Sequence, residues 1–253
     1  MDFNAKLVVL NSKTNGKDKL FRTVQYGCKL LWYLLWKSRS NKDYIEKLKK
    51  IEAAMSSTRK VLRFAKTHEM LMSALNSIHN QDYFYRYILT LCNINQACYL
   101  ILDNILWLNS IGTLNLKNKK PLNDWCNKFW LFSSILYLAR DIHDLISIFQ
   151  AFDEEMKRKN DPWQKYTLNE QSGAYTSAKS NVYKTQLLKK LRLILSNQKN
   201  IPLLLDTAKN VADIFLPLNS LDFIKLSPGA QGLLGLISSI ISLMVVWDSK
   251  LKL

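Results

Sequence analysis

Along most of the chain apolar residues return every three or four positions, the spacing of one face of an α-helix, and no run alternates as a half-buried strand does. Seven glycines and five prolines in 253 residues interrupt it little, so the pattern predicts an all-α protein. A first helix is expected after Asn15-Gly16, through DKLFRTVQYGCKLLWYLLWK, with Leu20, Val24, Leu31 and Leu35 as its apolar stripe and Arg22, Gln25 and Lys29 opposite. A second is expected from about Asp43 to Lys66. On its helical wheel Leu48, Ile51, Met55, Leu62 and Ala65 share one sector, with Thr58 at the edge, while Lys49, Ser56, Lys60 and Arg63 gather to one side. Such a helix can lie in a membrane interface, its apolar residues among the lipids and Lys49, Arg59, Lys60 and Arg63 on their phosphates. The same pattern equally suits a surface helix of a bundle with a solvated charged face.

Two longer apolar blocks follow, YFYRYILTLCNINQACYLILDNILWL (83–108) and WLFSSILYLARDIHDLISIF (130–149). Each could span a bilayer or form a core helix, because each carries a polar arc that must meet protein or water. In the first block the arc holds Arg86, Asn93, Gln96, Asp103 and Asn104, with Asn95 outside it; in the second it holds Ser133, Arg140, Asp144 and Ser147. Residues 153–182 read as a polar loop, and YKTQLLKKLRLILSNQ and IPLLLDTAKNVADIFLPL as two further amphipathic helices punctuated by Pro202 and Pro217.

The stretch GAQGLLGLISSIISLMVVW (229–247) has no charge. As a helix it is roughly 28 Å long, close to the roughly 30 Å of a hydrocarbon core. Trp247, Lys250 and Lys252 supply an aromatic and basic anchor at its far end, so it is expected to be transmembrane. Gly232, Gly235, Ser239 and Ser242 recur on one face and would let a second helix approach closely, which makes them the expected self-association surface. The organisation that follows is a basic amphipathic helical region (1–80), membrane-spanning or membrane-associated apolar helices (81–150), a polar loop (151–182), amphipathic helices (183–228), a transmembrane helix (229–247) and a short basic tail (248–253).

Charge sharpens this picture. The chain carries 36 Lys+Arg against 20 Asp+Glu, and residues 1–66 alone hold 16 basic and 5 acidic side chains. A basic N-terminal quarter suits anionic phospholipid or nucleic acid. The apolar C-terminal helix argues against a soluble nucleic-acid binder, so no nucleic-acid partner is expected. Cys28, Cys92, Cys98 and Cys126 show no CxxC pair and are expected as buried free thiols in a reducing compartment. His68, His79 and His143 lack ligand spacing, and Gly229-x-x-Gly232-x-x-Gly235 enters an apolar helix without a preceding strand. No catalytic residue, metal or cofactor is expected. Met-Asp-Phe-Asn does not open a signal peptide, and Ser249-Lys250-Leu251 does not form the C-terminal end at which a peroxisomal matrix signal is read.

Five blocks carry a family resemblance: GKDKLFRTVQYGCKLLWYLL (16–35), KIEAAMSSTRKVLRFAK (50–66), LDNILWLNSIG (102–112), FWLFSSILYLARDIHDL (129–145) and VADIFLPLNSLDFIKLSPGAQGLLGLISSIISL (211–243). In order and spacing they resemble the peroxin-11 family of peroxisomal membrane proteins, most closely the animal alpha and beta type. The resemblance implies an integral peroxisomal membrane protein, not an enzyme, with both termini in the cytosol. Such proteins form homo-oligomers, insert amphipathic N-terminal helices to curve and elongate the membrane, and recruit the dynamin-type fission machinery and its membrane adaptors. It places the remodelling helix at Lys49 to Lys66. Where the family often has glycine this chain has Ala65, so that helix is expected to continue further than usual. A second reading is a channel for small metabolites, with Arg86, Asp103, Arg140 and Asp144 facing a pore rather than pairing within a closed bundle.

Overall fold

The computed structural model describes residues 3–64, 66–158 and 197–251, and among them every regular element is helical. Eight α-helices follow one another: α1 (Phe3–Ser12), α2 (Thr14–Lys37), α3 (Lys42–Leu62), α4 (Lys66–Ser77), α5 (Tyr83–Ser110), α6 (Lys120–Arg158), α7 (Ile201–Ser220) and α8 (Pro228–Trp247). Single 3₁₀ turns, Gln198–Asn200 and Ser249–Leu251, precede α7 and follow α8. The all-α expectation holds. Among the described residues α8 alone is long and apolar enough to cross a membrane.

Local chemistry sets most boundaries. The side chain of Asn41 accepts from the Asp43 N–H at the start of α3, Asp82 accepts from Phe84 and Tyr85 at α5, and Ser227 accepts from Ala230 at α8, where Pro228 takes the first helical position. At the other ends Arg39 (φ 55°), Gly112 (φ 84°) and Asp222 (φ 62°) adopt the left-handed conformation that closes α2, α5 and α7. Glycine announces only one of these three stops, and the sequence gives no comparable signal for the other two.

Several boundaries depart from the periodic pattern. Helix α1 precedes the expected first helix, whose own start is Thr14. The basic helix stops at Leu62, with Arg63 as its C-cap, and α4 begins anew at Lys66; the expected continuation past residue 66 does not occur. Ala65 itself lies outside the described residues. Helix α6 starts ten residues before the apolar block, because Pro121 costs no hydrogen bond in a first turn. It also runs six residues into the stretch read as a loop. The rest of that loop, 159–182, and residues 183–196 of the helix expected over 183–198 lie outside the described residues.

The helices pack in a closed circuit. Helix α2 lies between α3 and α8; α8 packs on α7, α7 on α6, α6 on α5, and α5 meets α3 again through a thinner seam. Helix α4 covers the outside of α5, and α1 folds back onto α2. Added Cβ atoms show how near α2 and α8 come: at Gly232 one would reach within 2.8 Å of the Leu30 backbone nitrogen, and at Gly235 it would run into the Tyr26 ring. Contacts pair Gly229 with Tyr33, Gly232 with Leu30 and Gly235 with Tyr26, so the two helices are antiparallel. The start of α2 and the end of α8 therefore lie at one end of this pair.

The circuit is polar inside and apolar outside. Asp18, Arg22, Asn95, Asp103, Ser133, Asp141 and Asn210 are buried. Leu20, Val24, Leu31 and Leu34 of α2 are exposed instead, as are Tyr87, Leu91, Ile94 and Ile101 of α5, Phe132, Ile135, Ile142 and Ile146 of α6, and Leu233, Ile237, Ile240 and Met244 of α8. The apolar stripe of α2 thus faces outward, and its Arg22, Gln25 and Lys29 face α3, α7 and α8. Water would strongly disfavour this arrangement, since it buries charge and exposes carbon.

Candidate functional site

Inside the circuit is a cavity of about 650 Å³, with walls from α2, α3, α5, α6, α7 and α8 and the first residues of α4. Three groups of charges line it. In the first, Asp18 accepts from Arg59 Nε at 3.1 Å, with Lys19 Nζ at 3.7 Å and Arg63 Nε at 4.0 Å, and Arg59 Nη1 also donates to Gln25 at 2.7 Å. Asp103 takes Arg63 Nη2 at 2.9 Å and Lys60 Nζ at 3.0 Å, and Arg63 Nη1 donates to the Tyr99 hydroxyl at 3.2 Å. These bonds tie α2 and α5 to α3. In the second, the guanidinium of Arg22 on α2 forks onto Asp213 of α7. In the third, Arg140 bridges Asp141 and Asp206, Lys209 pairs with Asp206, and Asn210 donates to Asp141 at 2.6 Å, joining α6 to α7.

Asp18 and Lys19 illustrate the field in this cavity. Burial alone would raise the Asp18 carboxyl, but the surrounding Arg59, Lys19, Arg63 and Lys66 outweigh it and hold its pKa below the ordinary value. Burial drives the Lys19 ammonium down, and Arg22, Lys66 and Arg59 add repulsion that Asp18 only partly offsets. Its pKa falls to about 7.

The structure divides the cations expected on the membrane-facing helix. Arg59, Lys60 and Arg63 turn inward to Asp18 and Asp103, because a buried carboxylate is costly unless a cation neutralises it. A wheel of α3 alone cannot reveal that demand. Leu48, Met55 and Leu62 are half-buried, Ile51 is exposed, and Lys49 remains exposed with its Nζ 4.7 Å from the Trp32 ring centre. The exposed cations gather elsewhere, around the α2–α3 turn: Lys37, Arg39, Lys42, Lys47, Lys49 and Lys50, beside exposed Trp36 and Tyr44.

The small-residue face of α8 also differs from its expected setting. Gly232, Gly235, Ser239 and Ser242 are all buried. Within this chain α2 covers that face, so a second copy would have to displace α2 to reach it. Of the four pore candidates, Asp103 and Arg140 line the cavity. Arg86 donates to the Asn80 carbonyl at 2.8 Å, and Asp144 accepts from the Tyr85 hydroxyl, both away from it. The sequence reading missed Asp18, Asp206 and Asp213. Their signal was present in the helical spacing of Asp18, Arg22, Gln25 and Lys29 on α2 and of Asp206, Asn210 and Asp213 on α7. It becomes legible once polar faces are read as interior. Cys28, Cys92 and Cys126 are buried free thiols, and Cys98 is half-buried and free.

The description Peroxisomal biogenesis factor 11 (PEX11) matches residues 4–247. The chain belongs to this family. It is 36% identical to Peroxisomal membrane protein 11A of Homo sapiens, over 96% of each chain, and 34% identical to the Bos taurus 11A protein, again over 96% of each. Identity to the 11B protein of Homo sapiens is 28%, over 94% of this chain and 95% of the relative. No solved structure matches the chain. Membership places this PEX11 protein among peroxisomal membrane proteins concerned with peroxisome biogenesis, and the resemblance seen in the five sequence blocks holds over nearly the whole chain.

Proposed function

We propose that this PEX11 protein is integral to the peroxisomal membrane and curves and elongates it ahead of fission. The observation that carries this reading is the inverted bundle, with apolar side chains outward on α2, α4, α5, α6 and α8 around a charged interior. Acyl chains suit such an exterior and water does not. In this reading α8 crosses the bilayer and fixes the protein in place. The start of α2 and the end of α8 lie at one end of their pair, so in this reading both termini face the same side, the cytosol.

Curvature then comes from shape. At 12 residues α4 is about 18 Å long, too short to cross, yet it presents exposed Leu71, Met72 and Leu75. It widens the bundle in one leaflet only, and unequal leaflet areas bend a membrane. The exposed cations and aromatics of the α2–α3 turn hold anionic headgroups at about 1 kcal/mol per charge. Homo-oligomers would concentrate many such wedges in one patch, where dynamin-type fission machinery and its adaptors act.

The test is twofold. Full-length protein reconstituted into anionic liposomes should draw them into tubules, and Leu71→Glu with Leu75→Glu should keep the fold but lose tubulation. The substitutions Ile237→Lys and Ile240→Lys on the exposed face of α8 should each cost about 2.5–3.5 kcal/mol of insertion and release protein in alkaline carbonate. If both lysines were neutral, α8 would not lie in lipid.

The charged cavity favours a second reading, a path for small polar metabolites through the bundle. Steady single-channel conductance in planar bilayers that changes with Arg140→Gln would support it; silent bilayers would leave the cavity closed.

A further inference from the structure

One corner of the cavity has more cations than its carboxylates can neutralise. The other two groups are close to internally matched: Arg22 has Asp213, and Arg140 and Lys209 share Asp206 with Asp141 behind. Around Asp18 and Asp103, by contrast, Lys19, Arg59, Lys60, Arg63 and Lys66 all line the cavity, five cations against two carboxylates. Lys66 donates to the Asn15 side-chain oxygen at 3.2 Å rather than to a carboxylate. Lys19 keeps 23% of its side chain accessible at a long 3.7 Å from Asp18. A surplus of positive charge inside low-dielectric walls is costly until an anion offsets it.

We infer that this corner, where Lys19, Arg59, Arg63 and Lys66 surround the single carboxylate of Asp18, is a binding site for the phosphate group of an anionic ligand, either a phospholipid headgroup or a soluble phosphate ester. With Lys19 protonated, the state a bound anion favours, the surplus is three charges, matched better by a phosphate dianion or diphosphate than by one carboxylate. Guanidinium forks and ammonium groups are also the usual partners of phosphate oxygens. The cavity volume falls within the roughly 300–1,000 Å³ of small-ligand sites. Position adds to this. Continuing the antiparallel pairing of α2 with α8 sets Asp18 and Lys19 beside Ser242, near the end of α8 marked by Trp247. An apolar helix anchored by tryptophan meets the water boundary there, within reach of headgroups and solutes alike.

The inference stands apart from the curvature reading: round vesicles would leave it intact, and absence of phosphate binding would leave tubulation intact. Full-length protein in nonionic detergent is titrated with pyrophosphate, against sodium chloride at equal ionic strength, by calorimetry and thermal unfolding. In a second arm, nanodiscs of phosphatidylcholine with or without phosphatidic acid are examined by native mass spectrometry for lipid retained on the protein. The double variant Lys19→Met, Lys66→Gln keeps the Asp18–Arg59 pair, and it should weaken whichever ligand binds by roughly tenfold or more, the loss of charge-assisted contacts. Lys66→Gln alone, at the edge of the cavity, gives a milder version should the double variant fold poorly.

Pyrophosphate binding that the variant weakens identifies a soluble ester as ligand, and selective phosphatidic acid retention that it abolishes identifies a headgroup. Binding of neither probe overturns the site, as does binding that the variant leaves unchanged. Loss of pyrophosphate binding in Lys42→Glu, Lys47→Glu, Lys50→Glu would move the ligand to the outer rim and overturn it too.

Discussion

Arg22 of α2 and Asp213 of α7, 191 residues apart in sequence, meet in a two-pronged ion pair inside the bundle. Each of the two side chains is buried or nearly so. Arg22→Met leaves Asp213 without its principal cation and should destabilise the protein by about 3–5 kcal/mol, read as a lower unfolding temperature in detergent. Arg22→Met with Asp213→Leu removes both charges and should recover most of that loss. A double variant no better than the single one would show that the pair does not act as a unit.

Gly232 sets the distance between α2 and α8. Gly232→Leu forces a side chain against the Leu30 backbone, which cannot yield as a flexible chain end would, and should cost about 1–3 kcal/mol. The expected readout is faster proteolysis within α2 and a lower unfolding temperature at any protein concentration. If instead only crosslinked oligomers diminish and the monomer is unaffected, this face binds another copy and not α2.

The exposed cations around the α2–α3 turn and the inward cations of α3 should respond differently to charge reversal. Lys42→Glu, Lys47→Glu and Lys50→Glu should weaken binding to anionic vesicles by several kcal/mol and reduce its salt dependence, without loss of helicity. Lys60→Glu with Arg63→Glu places two carboxylates against Asp103 and should unfold the α3–α5 seam instead. Circular dichroism and vesicle flotation on the same samples separate the two effects. Equal loss of flotation with intact helicity in both sets would mean that Lys60 and Arg63 face lipid.

Lys19 gives the protein a pH dependence of known sign. Its pKa lies near 7 in the folded protein and at 10.5 when unperturbed, so between these values the unfolded chain binds a proton that the folded one has lost. Stability from this group therefore rises with pH across about 7 to 10.5 and is lost as pH falls through that range. Lys19→Met should unfold at a higher temperature at pH 7, and its advantage over the wild type should shrink towards pH 10. A pH-independent difference would show that Lys19 does not titrate in this window. Asp18, Arg22, Arg59 and Lys66 are the charged groups that face Lys19.

The sequence by itself determined the helical class and the family. Apolar spacing sufficed for α5, α7 and α8, because a helix forms from local hydrogen bonds and one apolar stripe, and the uncharged run of α8 is a matter of length and composition alone. The five ordered blocks sufficed for PEX11 membership. Only tertiary structure decided which face of each helix points inward. A wheel separates Leu31 from Lys29, and Ile51 from Arg63, but it is symmetric with respect to what lies beyond each side. Asp18, Asp103 and Asp213 broke that symmetry: each buried or nearly buried carboxylate required a cation from another helix, and the partners came from 40 to 191 residues away. The same long-range packing filled the Gly232 and Gly235 face with α2, since a surface of small residues accepts whichever helix the rest of the fold brings to it.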